Sequence, residues 1–395
     1  MISITKLLGG STRFGDLLLE PADTYGDDSV RTGPPVVVWN STRTCNLDCI
    51  VCRSLSERRH FPGELTTEEA MAMVDDLVAF HTPSLIISGG EPLIRPDMLS
   101  IIEYATSQGL RVTLSTNGTL LSGKIARELA RAGVQRVGIS IDGSEKTHDG
   151  LRDRKGAYRE AVQGIRNCRD AGVPVGVRFT LTASSADDLG EILQLIEREG
   201  VSYLAISHLV YSGHGPATSA MDLNMSERRF VMDSIIDQVE QWIRDGRPIE
   251  VVTEDNLADG PYVYLKLLQK DPARAADALE QLKRGAGNRS GLQAASVDSF
   301  GNVHPDQFMQ YHTIGSIRDR RFSDVWRHTQ DGLILAMRDR RKYLKGRCAT
   351  CLWVDLCNGN FRPRAEAECG DFWEADPACY LFDSEIAPSF VSGAD

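Results

Sequence analysis

Short apolar runs alternate with longer amphipathic stretches from Val36 to about residue 207. Val36–Trp39, Leu85–Ser88, Val112–Ser115, Val137–Ile141, Val175–Leu181 and Tyr203–Ser207 read as buried strands. Helical periodicity lies between them near 67–80, 97–107, 123–132, 157–170 and 186–199. Gly133, Gly172 and Gly200 stand where three of these helices would end. Strands joined by helices, with no hairpin turn between them, predict parallel pairing in a curved or barrel-like sheet, because parallel neighbours need a crossover. Such folds gather their chemistry at the C-terminal ends of the strands.

After about residue 215 the rhythm breaks. A helix near 226–245 carries Phe230, Met232, Ile235, Ile236, Val239 and Trp242 at helical spacing, as core packing requires. A strand at Ile249–Val252 and a helical stretch near 261–285 follow. Ala295–Val297 and Val303–His304, flanking Ser299-Phe300-Gly301-Asn302, predict a hairpin. The expected organisation is an irregular lead-in (1–34), a strand–helix domain (35–215), a bridging α+β region (216–340) and a cysteine-rich end (341–395).

The chain has 395 residues, a net charge of −11, 42% hydrophobic and 25% charged residues, all ordinary for a soluble globular protein except the acidity. That acidity argues against nonspecific nucleic-acid binding. No stretch approaches the ~20 apolar residues that span a bilayer, and the N-terminus is too short for a signal peptide. Nine cysteines in such a chain point to metal ligation in the cytoplasm rather than to disulfides.

Cys45, Cys49 and Cys52 carry the sharpest signal. Three thiolates at this spacing, just past the first strand, can hold three irons of a four-iron cluster and leave the fourth without a protein ligand. An iron with an open position can bind a small molecule and pass it an electron. Zinc is the competing reading, but it prefers four ligands, and the closest histidine is His60.

Further features end successive strands. Ser88-Gly89-Gly90-Glu91-Pro92 combines glycines that let backbone approach a ligand with an acceptor for an ammonium group. Ser115-Thr116-Asn117-Gly118 ends the third strand, and Ser140-Ile141-Asp142-Gly143 offers hydroxyl and carboxylate groups after the fourth. Arg178, inside the fifth strand, needs an anionic partner if buried. Each alone reads equally well as a turn or a satisfied core group; their placement at successive strand ends does not.

With the triplet, these motifs make residues 36–215 similar to the radical S-adenosylmethionine (radical SAM) superfamily. The resemblance implies an α/β fold with a partial (β/α)6 TIM-like barrel. It also implies a [4Fe–4S] cluster on Cys45, Cys49 and Cys52, whose open iron binds SAM and yields a 5′-deoxyadenosyl radical. Gly89, Gly90 and Glu91 would hold the methionine amino group, Ser140 and Asp142 would lie near the ribose, and Arg178 near the carboxylate. Val51 and Arg53 depart from the aromatic or histidine and the tyrosine usual at those positions.

Cys348, Cys351 and Cys357 form a second close set, with Cys369 and Cys379 further on. Three close thiols and one distant one can complete an auxiliary [4Fe–4S] cluster; zinc is again the alternative. The region resembles the SPASM/twitch extension, and the string from Gly370 to Leu381 implies that Cys379 is the fourth ligand and Cys369 a spare thiol. Cys168 falls in step with Ala161 and Ile165 on a helix, as a core residue would.

Asn302–Phe308, Ile314–Arg318, Ser207–Gly213 and Arg362–Ala365 resemble the NirJ subgroup of haem d1 biosynthesis. That likeness implies 12,18-didecarboxysirohaem as substrate, losing two propionate side chains on the way to carbonyl groups. It also implies a low-potential electron donor such as a flavodoxin or ferredoxin. His208, Tyr211, His304 and Gln307 are the candidates for the substrate-facing wall, though a histidine near a strand end is as readily structural. The rivals are a SPASM enzyme acting on another porphyrin or maturing a peptide, a two-cluster electron carrier, and a zinc-stabilised binding protein.

Overall fold

The computed structural model describes residues 1–10, 33–213, 215–285 and 287–387. Among these, eleven strands form one sheet: β1 (Ile2–Ser3), β2 (Val36–Asn40), β3 (Leu85–Ser88), β4 (Val112–Thr116), β5 (Arg136–Ser140), β6 (Val175–Leu181), β7 (Tyr203–His208), β8 (Glu250–Glu254), β9 (Ala294–Val297), β10 (Asn302–His304) and β11 (Gly315–Ser316). Their order is β1-β8-β7-β6-β5-β4-β3-β2-β9-β10-β11. From β2 to β8 every pairing is parallel, with Val37 beside Leu85 and Ile206 beside Thr253 marking the register.

All six sequence-predicted strands are present, and so are the helices between them. Thr67–Ala79 starts from a capping box in which Thr66 and Glu69 satisfy each other's backbone N–H groups. The glycines at 133, 172 and 200 adopt the left-handed conformation that ends a helix. The strands bury Val37, Ile87, Leu114, Ile139, Phe179 and Ile206 completely.

The rhythm does not break at residue 215. β8 pairs in parallel with β7, and β9 pairs in parallel with β2, so the segment expected to bridge two domains extends the sheet at both sides. The expected lead-in is ordered at its start: β1 pairs antiparallel with β8, and the helix Ile4–Gly9 packs beside it. Two residues of strand are too few to read from periodicity. The rest of that lead-in, 11–32, lies outside the described residues, as do 388–395.

The helix Met225–Arg244 buries Met232, Ile235, Ile236, Val239 and Trp242, whereas Phe230 is 73% exposed. Phe230 sits about 100° around the helix from Val231, which takes the inward position. The helical stretch near 261–285 is two helices, Asp259–Lys270 and Pro272–Gly285. Asp271 is driven to an extended conformation by the proline that follows it.

Candidate active site

The loop after β2 has little regular structure of its own and is held by side chains. Glu64 accepts from the Thr42 hydroxyl and the Arg43 N–H, and Cys45 N–H donates to the Glu57 carbonyl. The turn after β3 locks onto the same loop, with Gly90 N–H donating to the Thr42 carbonyl at 2.6 Å and Glu91 N–H to the Thr44 carbonyl at 2.9 Å. A Cβ at Gly90 would lie 2.2 Å from the Thr44 carbonyl oxygen, and one at Gly89 2.6 Å from that of Thr42. The close approach these glycines permit is therefore to the cysteine loop itself.

A cavity of about 150 Å³ opens at the C-terminal strand ends and is lined by Cys45, Cys49 and Cys52, by Ser88, Gly89 and Gly90, and by Ser140, Asp142, Arg178 and His208. The structure thus gathers motifs lying up to 163 positions apart, from Cys45 to His208, around one space. Glu91 is not in that wall. It is fully buried and accepts from Thr116 Oγ1, Asn117 N–H and Leu93 N–H, so its oxygens tie β3 to β4. Burial pushes its carboxyl above the usual range, and those three donors work against the rise.

Each sulfur of the triplet is met by a nitrogen donor. Asn117 Nδ2 lies 3.9 Å from Cys45 Sγ, Arg152 Nη1 3.5 Å from Cys49 Sγ, and Ser56 N 3.5 Å from Cys52 Sγ. Burial pushes the Cys45 thiol up to about 12, because the low-dielectric setting penalises a thiolate without a metal. Arg152 also donates to Asp142, whose other oxygen accepts from Thr180 N–H at 3.1 Å. Arg178 pairs with Glu254 at 3.0 Å.

A second, smaller cavity is lined by Cys348, Cys351, Cys357 and Cys379. Backbone N–H groups two residues on point at three of these sulfurs, from Trp353 to Cys351, from Gly359 to Cys357 and from Leu381 to Cys379. The same relation holds between Leu47 and Cys45. Cys369 lies elsewhere, exposed at the end of the helix Arg362–Cys369. Cys168 is buried in the core.

The remaining candidates separate. His208 lines the larger cavity and sits 3.0 Å from Asp259. Tyr211 donates to Asp222 at 2.8 Å, and His304 Nδ1 lies 2.9 Å from the His312 carbonyl; neither reaches the cavity, because each is buried on its own partner. Gln307 is outside the lining too, while its neighbour Phe308 is part of it.

The Radical SAM superfamily pattern matches residues 39–206. Over 401 aligned residues the chain is 41% identical to the Fe-coproporphyrin III synthase of Methanosarcina barkeri (strain Fusaro / DSM 804), covering 98% of this chain and 99% of that protein. The chain belongs to the radical SAM superfamily. It is also 40% identical to the pre-heme d1 synthase of Dinoroseobacter shibae (strain DSM 16493 / NCIMB 14021 / DFL 12), over 90% of this chain and 88% of that one. The fold is shared with Streptococcus suis SuiB bound to S-adenosylmethionine, at TM-score 0.69 and 14% identity over 89% of this chain and 78% of that one.

Radical SAM membership brings a [4Fe–4S] cluster and SAM, and the residues suit both. Soft thiolates surrounded by N–H donors stabilise the negative charge of a cluster's sulfur ligands. The four C-terminal thiols around one apolar space fit an auxiliary cluster in the same way. Several cavity residues escaped the sequence reading. Asp255 follows β8, whose last residue, Glu254, pairs with Arg178 of the lining; the expected end of that strand fell two residues short of the observed one, and Arg152 follows a helix, Glu145–Leu151, that was not expected. The strand-end rule would have found the first two had the strand been extended.

Proposed function

We propose that this radical SAM enzyme modifies peripheral side chains of an iron tetrapyrrole, with 12,18-didecarboxysirohaem as its substrate. The observation that carries the reading is near-full-length identity to two relatives named for making iron–porphyrin or haem d1 products. When bound, the cluster and SAM supply a carbon radical that removes hydrogen from a substrate carbon. Cys45, Cys49 and Cys52 hold that cluster, and Asn117, Arg152 and the Ser56 N–H temper the charge on its sulfurs.

Gly89 and Gly90 set the cavity wall beside the cluster loop, and Ser140 and Asp142 would lie near the SAM ribose, Asp142 with its two oxygens already held by Arg152 and the Thr180 N–H. Arg178, steadied by Glu254, would lie near the SAM carboxylate. Of the four candidates for the substrate-facing wall, His208 lines the cavity, and it is the one retained for that role. Cys348, Cys351, Cys357 and Cys379 would hold the auxiliary cluster, which would supply a site for electron transfer with a flavodoxin- or ferredoxin-type partner. No helix among the described residues is long and apolar enough to cross a membrane, in keeping with a cytoplasmic setting.

The haem d1 outcome, loss of two propionates on the way to carbonyl groups, is what the resemblance of the segments 302–308, 314–318, 207–213 and 362–365 to that subgroup implies, and the 40% identity to a pre-heme d1 synthase supports it. The end-to-end match to the Fe-coproporphyrin III synthase favours a second outcome, a product that keeps four propionates. One anaerobic reaction separates them. Reconstituted enzyme, SAM, a strong reductant and 12,18-didecarboxysirohaem are combined, and 5′-deoxyadenosine and tetrapyrrole masses are followed. Substrate-dependent 5′-deoxyadenosine with loss of propionate mass supports the d1 outcome, and a coproporphyrin mass supports the second. Nucleoside release indifferent to the tetrapyrrole sinks the substrate assignment.

A further inference from the structure

Three arginines line the larger cavity: Arg53, Arg152 and Arg178. Arg152 is matched by Asp142, and Arg178 by Glu254 at 3.0 Å. Arg53 differs. Among the described residues it makes no hydrogen bond and no ion pair, and its guanidinium lies 5.5 Å above the centre of the Phe308 ring. Asp255 and Glu254 offset part of its charge from a distance, but no carboxylate reaches this half-buried guanidinium, and an arriving anion would supply the contact it lacks.

The residue is also held in place. A Cβ at Gly213 would stand 2.5 Å from the Cys52 carbonyl oxygen and 2.8 Å from Arg53 Cα, so this segment fits against the Arg53 backbone only as glycine. Stacking on Phe308 orients the flat guanidinium from the other side. Asp255 lines the same cavity, makes no hydrogen bond among the described residues, and has a left-handed backbone with φ +67°. Its carboxylate repels an incoming anion and so confines it to the Arg53 side.

We propose that Arg53 binds one peripheral carboxylate of the substrate, an assignment that rests on the tetrapyrrole reading above. Two carboxylates could meet this guanidinium, one on the substrate and one on SAM. The substrate is favoured because Arg53 is packed by Gly213 and Phe308, not by the Gly89-Gly90 turn, and because Arg178 already serves the strand-end side of the cavity. Arg53 is thus a specificity-determining contact that selects a free acid over an ester.

The test uses the anaerobically reconstituted holoenzyme, as wild type, Arg53→Lys and Arg53→Gln. 12,18-Didecarboxysirohaem and its full methyl ester are titrated against each and followed by tetrapyrrole absorbance, with SAM binding measured by equilibrium dialysis and iron content checked. Arg53→Gln is expected to weaken binding of the free acid about 10- to 100-fold, while ester and SAM affinities stay within about twofold. Arg53→Lys keeps the charge but loses the fork, and recovers part of the acid affinity. If Arg53→Gln loses iron, Arg53→Lys carries the comparison through the same difference between acid and ester. The assignment is overturned if acid binding is unchanged, if acid and ester weaken together, or if SAM binding alone is lost. A wild type that binds neither acid nor ester overturns the tetrapyrrole reading and takes the assignment with it.

Discussion

His208 Nε2 stands 3.0 Å from Asp259 Oδ2, and the other oxygen of that carboxylate accepts from Tyr380 Oη at 2.6 Å. All three side chains are buried. His208 lines the larger cavity, and Tyr380 follows Cys379 in the wall of the smaller one, so a single carboxylate joins the two thiol sites. Burial raises the Asp259 carboxyl, but His208 and the hydrogen bonds outweigh it and hold the group below the usual carboxylate range. Asp259→Asn should cost about 3–5 kcal/mol, and Tyr380→Phe about 1–3 kcal/mol. Anaerobic denaturation measures both, and Tyr380→Phe should in addition loosen the C-terminal cluster, read as iron loss.

Cys369 and Cys379 make a clean contrast. Cys379 shares a cavity with three other thiols, whereas Cys369 is exposed at a helix end. Cys379→Ala is expected to lose the auxiliary cluster's iron and sulfide, with Cys369→Ala keeping both. Iron analysis with electron paramagnetic resonance decides it, and the opposite pattern exchanges the two assignments.

Gly90→Ala places a methyl group 2.2 Å from a backbone oxygen that cannot swing aside. The cysteine loop must move instead, at about 1–3 kcal/mol or more. Circular dichroism should change little, since the sheet does not depend on this turn, while the first cluster's iron content falls sharply.

Arg152 brings a positive charge and an N–H to Cys49 Sγ at 3.5 Å. Both favour the reduced, more negative cluster. Arg152→Gln should shift that cluster's midpoint potential to more negative values, and Arg152→Lys should shift it less. A redox titration followed by electron paramagnetic resonance gives the sign; an unchanged potential in Arg152→Gln rejects the role.

Asp255 yields a pH prediction. Burial, then the neighbouring Glu254 charge, push its carboxyl from 3.8 to about 6. The folded state therefore binds the proton more tightly than the unfolded one, and stability falls as pH rises from about 4 to about 6. Asp255→Asn removes that loss, at most about 3 kcal/mol, and also suits a left-handed backbone better at any pH. Its advantage in thermal midpoint over wild type should widen from pH 4 to about 6.5 and then level off. A constant advantage would leave only the backbone effect.

Much of the sheet was legible because each central strand is a short run whose apolar positions pack into the core, while Ser115, Ser140, Arg178 and Ser207 on the same strands line the cavity. The edges were not. β1 has two residues, and β9 resembles any hairpin arm until its other edge is seen to pair with β2. The close thiols of each set were legible from spacing, since metal ligation in a loop demands close cysteines, whereas Cys379 was preferred to Cys369 only through the family resemblance. Glu91 shows the limit of such reading: its place at a strand end was right, but only the fold reveals that Thr116 and Asn117 occupy its oxygens. Arg53 is the reverse case, a residue noticed only as a departure from pattern that stands out once the other cavity arginines are found paired.

The parallel pairing of β2 with β9 reaches into how the chain is made. β2 launches the cysteine loop, yet one of its two edges has no partner until residues 294–297 have been synthesised. At every earlier stage on the ribosome, a strand buried in the finished protein presents open N–H and C=O groups next to reactive thiols, the situation that invites pairing with a stray strand. The last strand to seat beside β2 thus comes from residues 294–297, so the sheet that carries the cysteine loop closes only after most of the chain exists.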